Sequence, residues 1–240
     1  MINKEKIKFL LIVWTLGITG GLIVWLLRGV GIIKIYGFKK NKVAPPKEGL
    51  VCFYRHPSLW EPFILPFVLS FPWVLFNLNW VPSTPDARNF YRKKWYIFLR
   101  PVSIPISRGN SKREGKALKE IKEKLKRGSV ILIAPGGGRE RKAKEVKLIR
   151  KNGKIEVKKI ASEAQFQEIQ QKTKGKIIRR FKQGISWLHR ETEAFFLPVW
   201  VGIQGVKIII KLGKRVRFEN LSEEAILESL ENNLLKLAES

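Results

Sequence analysis

Val130-Ile131-Leu132-Ile133-Ala134-Pro135-Gly136-Gly137-Gly138-Arg139 is the stretch whose reading decides the fold. Five apolar residues run without alternation, the pattern of a strand buried on both faces. Pro-Gly-Gly-Gly ends it in a loop. Just upstream, Ser111 to Arg127 reads as a helix. Ala117, Leu118, Ile121 and Leu125 form one apolar stripe, the opposite face is rich in lysine, and Gly128 stops it. Ser111 and Glu114 make an S-x-x-E capping box at its start. Further upstream, Val102, Ile104 and Ile106 alternate with Ser103, Pro105 and Ser107, which is strand period, and the run closes on Arg108-Gly109. Residues 102–139 therefore read strand, helix, strand, glycine loop. That βαβ unit predicts an α/β fold with a mixed, largely parallel sheet flanked by helices. Open α/β sheets bind ligands beyond the carboxyl ends of their strands, where the glycine loop falls.

The loop offers backbone N–H groups that can approach an anion or a developing oxyanion. The G-x-x-x-x-G-K-[ST] spacing of a P-loop and the dinucleotide fingerprint are both absent. A tight turn without a ligand is the bland alternative, but three consecutive glycines are costly to order, which favours a function. Arg108, beside Gly109 at a strand end, can clamp a phosphate bidentately or stand solvated.

Arg55-His56-Pro57-Ser58-Leu59-Trp60-Glu61-Pro62 carries one of two histidines in the chain. Leu50 to Tyr54 leads in as a strand, and Phe63 to Phe71 leads out as an apolar helix dented by Pro66. A histidine acting as general base needs a carboxylate to fix its tautomer and to stabilise the imidazolium. Residues five apart on a straight helix sit ~140° apart, so His56 and Glu61 meet only if the chain bends between them. The His-Pro step is biased to extended geometry and supplies such a bend. The competing reading makes Glu61 the end of a Ser58–Glu61 capping box and His56 a satisfied loop residue. Cys52 lies ~13 Å along the strand from His56, too far for a dyad, and reads as core. His189, on a helix, has no evident partner.

The 240 residues carry 47 basic and 20 acidic side chains, a net charge of +27, which points to nucleic acid or an anionic membrane surface as a partner. One cysteine excludes a disulfide framework and fits a reducing compartment. Phe9 to Leu27 has no charge and would span ~28 Å as a helix, against a ~30 Å hydrocarbon core. It reads as an uncleaved N-terminal membrane anchor over residues 1–31, because no small-x-small cleavage site follows. The basic remainder places the rest on the cytoplasmic side.

Several further elements follow. Ile32 to Gly37 is a short strand, Trp73 to Val81 a candidate strand, and Asn89 to Leu99 an aromatic, basic helix. Residues 141–182 hold fifteen basic and four acidic side chains and read as a surface insertion. A hairpin around Asn152-Gly153 and a helix over Ile160 to Gln171 are expected there. Ile177, Ile178, Phe181, Ile185 and Leu188 suggest one packed helix. Phe195–Val201 and Val206–Leu212 read as strands, and Ser222 caps a last helix, Glu223 to Ala238. The basic insertion could face nucleic acid. No nucleic-acid module surrounds it, and anionic lipid head groups account for its charge at least as well.

The ordered blocks resemble the lysophospholipid (glycerolipid) acyltransferase superfamily. His56 and Glu61 match its His-x4-Asp block, with Glu for Asp. Ile104 to Arg108 match its strand closing on arginine. Ala134-Pro135-Gly136-Gly137-Gly138-Arg139 match its Phe-Pro-Glu-Gly-x-Arg block, and Phe196 to Val201 its proline-centred strand. The likeness covers roughly residues 32–205 and makes 32–240 the acyltransferase domain. Glutamate at 61 is similar to the lipid A acyltransferase branch. Gly136 in place of glutamate, with Glu140 following, is similar to the Pro-Gly-Gly-x-Arg-Glu form of the neutral-lipid branch.

The resemblance implies acyl transfer from acyl-CoA or acyl carrier protein to a lipid hydroxyl, with lysophosphatidic acid foremost and diacylglycerol the alternative acceptor. His56 would be the base and Glu61 its orienting group. Arg108 and Arg139 would hold a phosphate, and the Gly136, Gly137 and Gly138 backbone could serve the oxyanion. No metal or cofactor is implied, since the thiolate already leaves well. The reading of another class is a membrane-anchored protein that binds nucleic acid or anionic lipid without catalysis.

Overall fold

Unbroken apolar runs become the centre of the main sheet. The computed structural model describes residues 4–37, 46–58, 61–70, 84, 103–107, 111–137, 144–149 and 155–240. In chain order the elements are α1 (Lys4–Gly29), β1 (Ile33–Tyr36), β2 (Leu50–Tyr54), α2 (Glu61–Ser70), α3 (Ser111–Lys126), β3 (Val130–Ile133), β4 (Glu145–Ile149) and β5 (Ile155–Lys159). Then come α4 (Glu163–Lys172), β6 (Ile177–Arg179), α5 (Gln183–Glu191), β7 (Phe195–Gln204), β8 (Lys207–Leu212) and α6 (Glu223–Glu239).

The main sheet has the order β1-β8-β7-β2-β3. β2 runs parallel to both β3 and β7, β1 runs parallel to β8, and β7 and β8 are antiparallel. The expected mixed, largely parallel sheet is therefore found. Every residue of β2 and β3 is buried, as a run covered on both faces requires. Val51, Phe53, Ile131 and Ile133 pack on one side with Ala117, Ile121 and Leu125 of α3, Ile185 and Leu188 of α5, and Leu230 and Leu234 of α6. Leu50, Cys52, Val130 and Leu132 pack on the other with Val24 of α1 and Leu65, Val68 and Leu69 of α2. Alternate residues of one strand thus serve two separate cores.

Three expectations change. Ser103 and Ile106 form single bridges, and no extended strand runs through 103–107 among the described residues. The parallel partner of β3 is instead β2, so the crossover returns from further back in the chain. Residues 177–188 do not form one helix. Ile177–Arg179 pairs antiparallel with β4, and α5 starts only at Gln183. A β-branched pair finds an open sheet edge there, and pairing overrides the helical spacing. The candidate strand Trp73 to Val81 and the helix Asn89 to Leu99 lie outside the described residues.

The third change concerns the N-terminus. A helix forms where the anchor was expected, but among the described residues no helix is long and apolar enough to cross a membrane. The spanning helix is thus not supported. One side of α1 is committed to the domain instead. Val24 is buried, and Gly20 sits against the Phe67 ring of α2, where an added Cβ would fall 2.4 Å from the ring. Leu11, Trp14, Leu22, Ile23 and Leu26 remain exposed.

The basic insertion is more than a surface loop. β5, β4 and β6 form a second, antiparallel sheet. Val146, Leu148 and Ile177 pack against Phe166 and Ile169 of α4, while Ile149 and Ile178 join the main core. Its docking point is Glu231 of α6, which has no exposed surface. That carboxylate accepts from Lys147 Nζ at 3.2 Å, Arg180 Nε at 3.0 Å and the Phe181 N–H at 2.7 Å.

His189 proves structural. Its buried ring lies 5.5 Å from that of Phe218, and its Nε2 accepts the Phe218 N–H at 3.0 Å. Burial, aided by the Arg217 charge, holds its pKa below the usual value.

Two stability predictions follow from these buried groups. Glu231→Ala leaves buried Lys147 with only the exposed Glu228 carboxylate, 3.9 Å away, and should cost about 3 kcal/mol in urea unfolding; a loss no larger than that of an exposed α6 substitution would refute the docking role. For His189, the unfolded chain takes the proton near pH 6.5 while the folded chain resists it. Its stabilisation is therefore complete above the unfolded pKa and is lost as pH falls towards the lower folded value. The urea midpoint should drop between about pH 7.5 and about pH 5.5, and His189→Asn should flatten part of that drop.

Candidate active site

β2 carries the chain to the carboxyl edge of the sheet, and Arg55 and His56 follow directly. The His56-Pro57 step bends the chain before α2 begins at Glu61. The bend brings His56 Nδ1 to 3.0 Å from Glu61 Oε2. The other carboxylate oxygen, Oε1, accepts the Ser58 N–H at 2.9 Å and the Ser58 hydroxyl at 2.7 Å. Glu61 therefore caps the turn and holds the histidine at once; the two readings of this stretch are compatible. The Glu61 side chain is 1% exposed and that of His56 16%. Ile64, Leu65, Val201 and Ile210 line the recess beside the carboxylate.

A carboxylate only accepts hydrogen bonds, so Nδ1 is the nitrogen that carries hydrogen. Nε2 is left with its lone pair, as a general base requires. Cys52 takes no part. It is buried in the core below, and burial pushes its thiol up to about 12.

The glycine loop follows β3, the strand beside β2, at the same edge. Neighbouring strands lie ~4.8 Å apart, so Gly136 and Gly137 are close neighbours of the segment that leaves β2. Gly137 has φ +74°, and its N–H donates to the Ala134 carbonyl at 3.0 Å. His56, Glu61, Gly136 and Gly137 are thus gathered at one edge. Arg108, Gly138 and Arg139 lie outside the described residues.

Three neighbours of the site were not legible as such in the sequence. Arg55 is buried, its Nη1 donates to the Gly175 carbonyl at 2.6 Å, and its guanidinium lies 4.2 Å above the Trp200 ring. Position next to His56 was the available signal, but its partners come from distant parts of the chain. Arg179 and Lys182 both come from the insertion, Arg179 at the end of β6 and Lys182 just before α5. A Cβ added to Gly136 would fall 3.0 Å from Arg179 Cβ, and one on Gly137 would fall 2.8 Å from Lys182 Cε. The Lys182 N–H donates to the Pro135 carbonyl at 3.1 Å. The insertion therefore lies against the glycine loop. Among the described residues no three His, Cys, Asp or Glu side chains come together as a metal-ligand group.

Comparison with known proteins agrees with this architecture. The fold is similar to the crystal structure of the 1-acyl-sn-glycerophosphate (LPA) acyltransferase, PlsC, from Thermotoga maritima. That likeness has a TM-score of 0.57 and 16% identity over 100% of this chain and 83% of that one, and it is a likeness of fold. No curated protein sequence matches. Residues 37–202 match the family described as Acyltransferase, a span that includes His56, Glu61 and the glycine loop. The chain belongs to the Acyltransferase family and is an acyltransferase enzyme.

Proposed function

We propose that this acyltransferase moves a fatty acyl group from a thioester, acyl-CoA or acyl carrier protein, to a glycerolipid hydroxyl, with lysophosphatidic acid as acceptor and phosphatidic acid as product. The observation that carries the reading is the 3.0 Å contact of His56 Nδ1 with Glu61 Oε2 at the carboxyl edge of a parallel sheet. His56 Nε2 takes the hydroxyl proton as the oxygen attacks the thioester carbonyl. The tetrahedral intermediate collapses, the C–S bond breaks, and the imidazolium returns its proton to the leaving thiolate. Glu61 stabilises the imidazolium between these steps. Backbone N–H groups of the Gly136 to Gly138 loop serve the oxyanion, the Gly137 N–H excepted because it is held by the Ala134 carbonyl, and Arg108 and Arg139 hold a phosphate.

A neutral acceptor such as diacylglycerol is the second reading, supported by Gly136 standing where the phosphate-acceptor branch has glutamate. The site of action is a membrane surface. Leu11, Trp14, Leu22, Ile23 and Leu26 expose an apolar side of α1, and the net charge of +27 suits anionic head groups on the cytoplasmic face. Resting in the interface, α1 would present the edge of the sheet to its lipid.

Purified protein with labelled acyl-CoA should convert lysophosphatidic acid to labelled phosphatidic acid on thin-layer plates, and His56→Ala should lower the rate roughly 10³-fold. No acylation of either lysophosphatidic acid or diacylglycerol would end this reading. Glu61→Gln cannot serve both partners. An amide nitrogen facing His56 flips the tautomer, and one facing Ser58 sets donor against donor. It should cost roughly 10²–10³ in kcat, whereas Glu61→Asp should stay within about tenfold. Equal rates for the two variants would leave Glu61 a cap alone.

A further inference from the structure

We propose that the tip of the β7–β8 hairpin, Gly205-Val206, is a second membrane contact that enters an anionic bilayer beside the end of α1. It rests on the proposed reaction for its purpose, delivery of a lipid to His56, but the surface itself stands on the fold.

Strand register places the tip. β7 runs parallel to β2, and their last shared rung is Val199 with Tyr54. The chain of β2 reaches His56 two residues later and turns away. β7 continues to Gln204, paired there with β8. From Val199 to Gln204, at ~3.3 Å per residue, the hairpin extends roughly 16 Å past that rung, on the edge where His56 lies. β1 runs parallel to β8 with Ile33 opposite Ile208, and the Ile208 N–H donates to the Ile32 carbonyl at 2.9 Å. The end of α1 therefore comes to the same edge. So does the first turn of α2, which starts at Glu61 and exposes Phe63.

The tip carries a residue that the turn does not call for. Gln204 pairs with Lys207 across a two-residue loop. Gly205 has φ +58° and Val206 is outside the positive region, as in a II′ turn set by its glycine. Turn positions favour Gly, Asn, Asp or Ser. Here the second one is valine, 82% exposed, the most exposed large apolar side chain among the described residues. Ile203, on the strand before it, is 44% exposed and stands opposite Ile208. Both line the recess beside Glu61 together with Val201 and Ile210. An apolar strip thus leads from the tip to the carboxylate that holds His56. At the end of α1, Leu22, Ile23, Leu26 and Val30 are exposed too. The Arg28 guanidinium lies 4.6 Å over the Trp25 ring there, a pairing of residue types suited to a membrane–water boundary.

The surrounding charge selects the occupant. Residues 6–47, 62–70 and 194–218 contain no Asp or Glu, although the chain has 20. Lys34 and Lys207 are exposed within these segments. Apolar side chains flanked by cations alone suit anionic head groups with acyl chains beneath them. A second copy of the chain would set those cations against their own kind.

A polarity-sensitive fluorophore on Val206→Cys reads the contact directly, since Cys52 is buried. In vesicles of equal parts phosphatidylcholine and phosphatidylglycerol its emission should shift to the blue, and bromine on the acyl chains should quench roughly half of it. The same probe on Val157→Cys, exposed on β5 of the insertion, should show neither change. A probe at 206 that behaves like the one at 157 overturns the proposal. Val206→Asp should lower turnover of lysophosphatidic acid carried in those vesicles about tenfold, and should leave turnover of a short-chain, monomeric lysophosphatidic acid within about twofold. Equal losses on both substrates make the tip a support of the active site and overturn the membrane contact. Light scattering tests the other occupant: a wild-type dimer that Val206→Asp dissociates assigns the tip to a second copy, against the proposal. If the probe enters the bilayer yet no lipid is acylated, the membrane contact stands and the reaction assignment fails.

Discussion

A carboxylate with no exposed surface sits at the joint between the insertion and the core of the main sheet. Uncompensated, Glu231 would be a costly group to bury. It is held by one cation from β4, one cation from the segment after β6 and the backbone N–H of Phe181. Three ties therefore meet at one point of α6. Moving the insertion away would strand the carboxylate and its buried lysine together. The ion pair need not add much net stability to do this work, because a buried pair chiefly penalises its own separation. That penalty keeps residues 179–182 against the glycine loop.

The same logic operates on a smaller scale at Glu61. Its two oxygens have different clients, Ser58 on one side and His56 on the other. The bend made by Pro57 is closed by the first set of bonds, and the closed bend fixes the imidazole through the second. β2 supplies the rigid base for both. It is paired in parallel on each side and buried along its whole length, so the residues that leave its carboxyl end start from a defined point. The helix cap and the orientation of the imidazole are one structural event, not competing explanations of one residue.

What was legible in the sequence was what is local. β2, β3, β8, α3 and α6 announce themselves through unbroken runs, apolar stripes and caps. The His56–Glu61 contact needed only a bend that the intervening proline makes plain. What was not legible depends on partners far along the chain. Ile177–Arg179 is a strand because β4 offers an edge, although the local spacing is helical. Arg55 is ordered by Gly175 and Trp200, neither of which its own segment reveals. The uncharged N-terminal run has the length of a span, but its contact with Phe67 could not be read from hydropathy.

Gly136 shows how such a long-range contact changes a motif's meaning. By sequence, glycine in place of glutamate resembles the neutral-lipid branch and weakens the case for a charged acceptor. In the fold, the vacated space is crossed by the stem of Arg179, with Lys182 beside it over Gly137. A larger residue at either glycine would push those stems off the loop, so packing across the loop accounts for the glycines. The departure from the family block therefore has a reason inside this fold, the passage of the insertion's side chains, and the likeness of the motif to one branch is not by itself evidence about the acceptor.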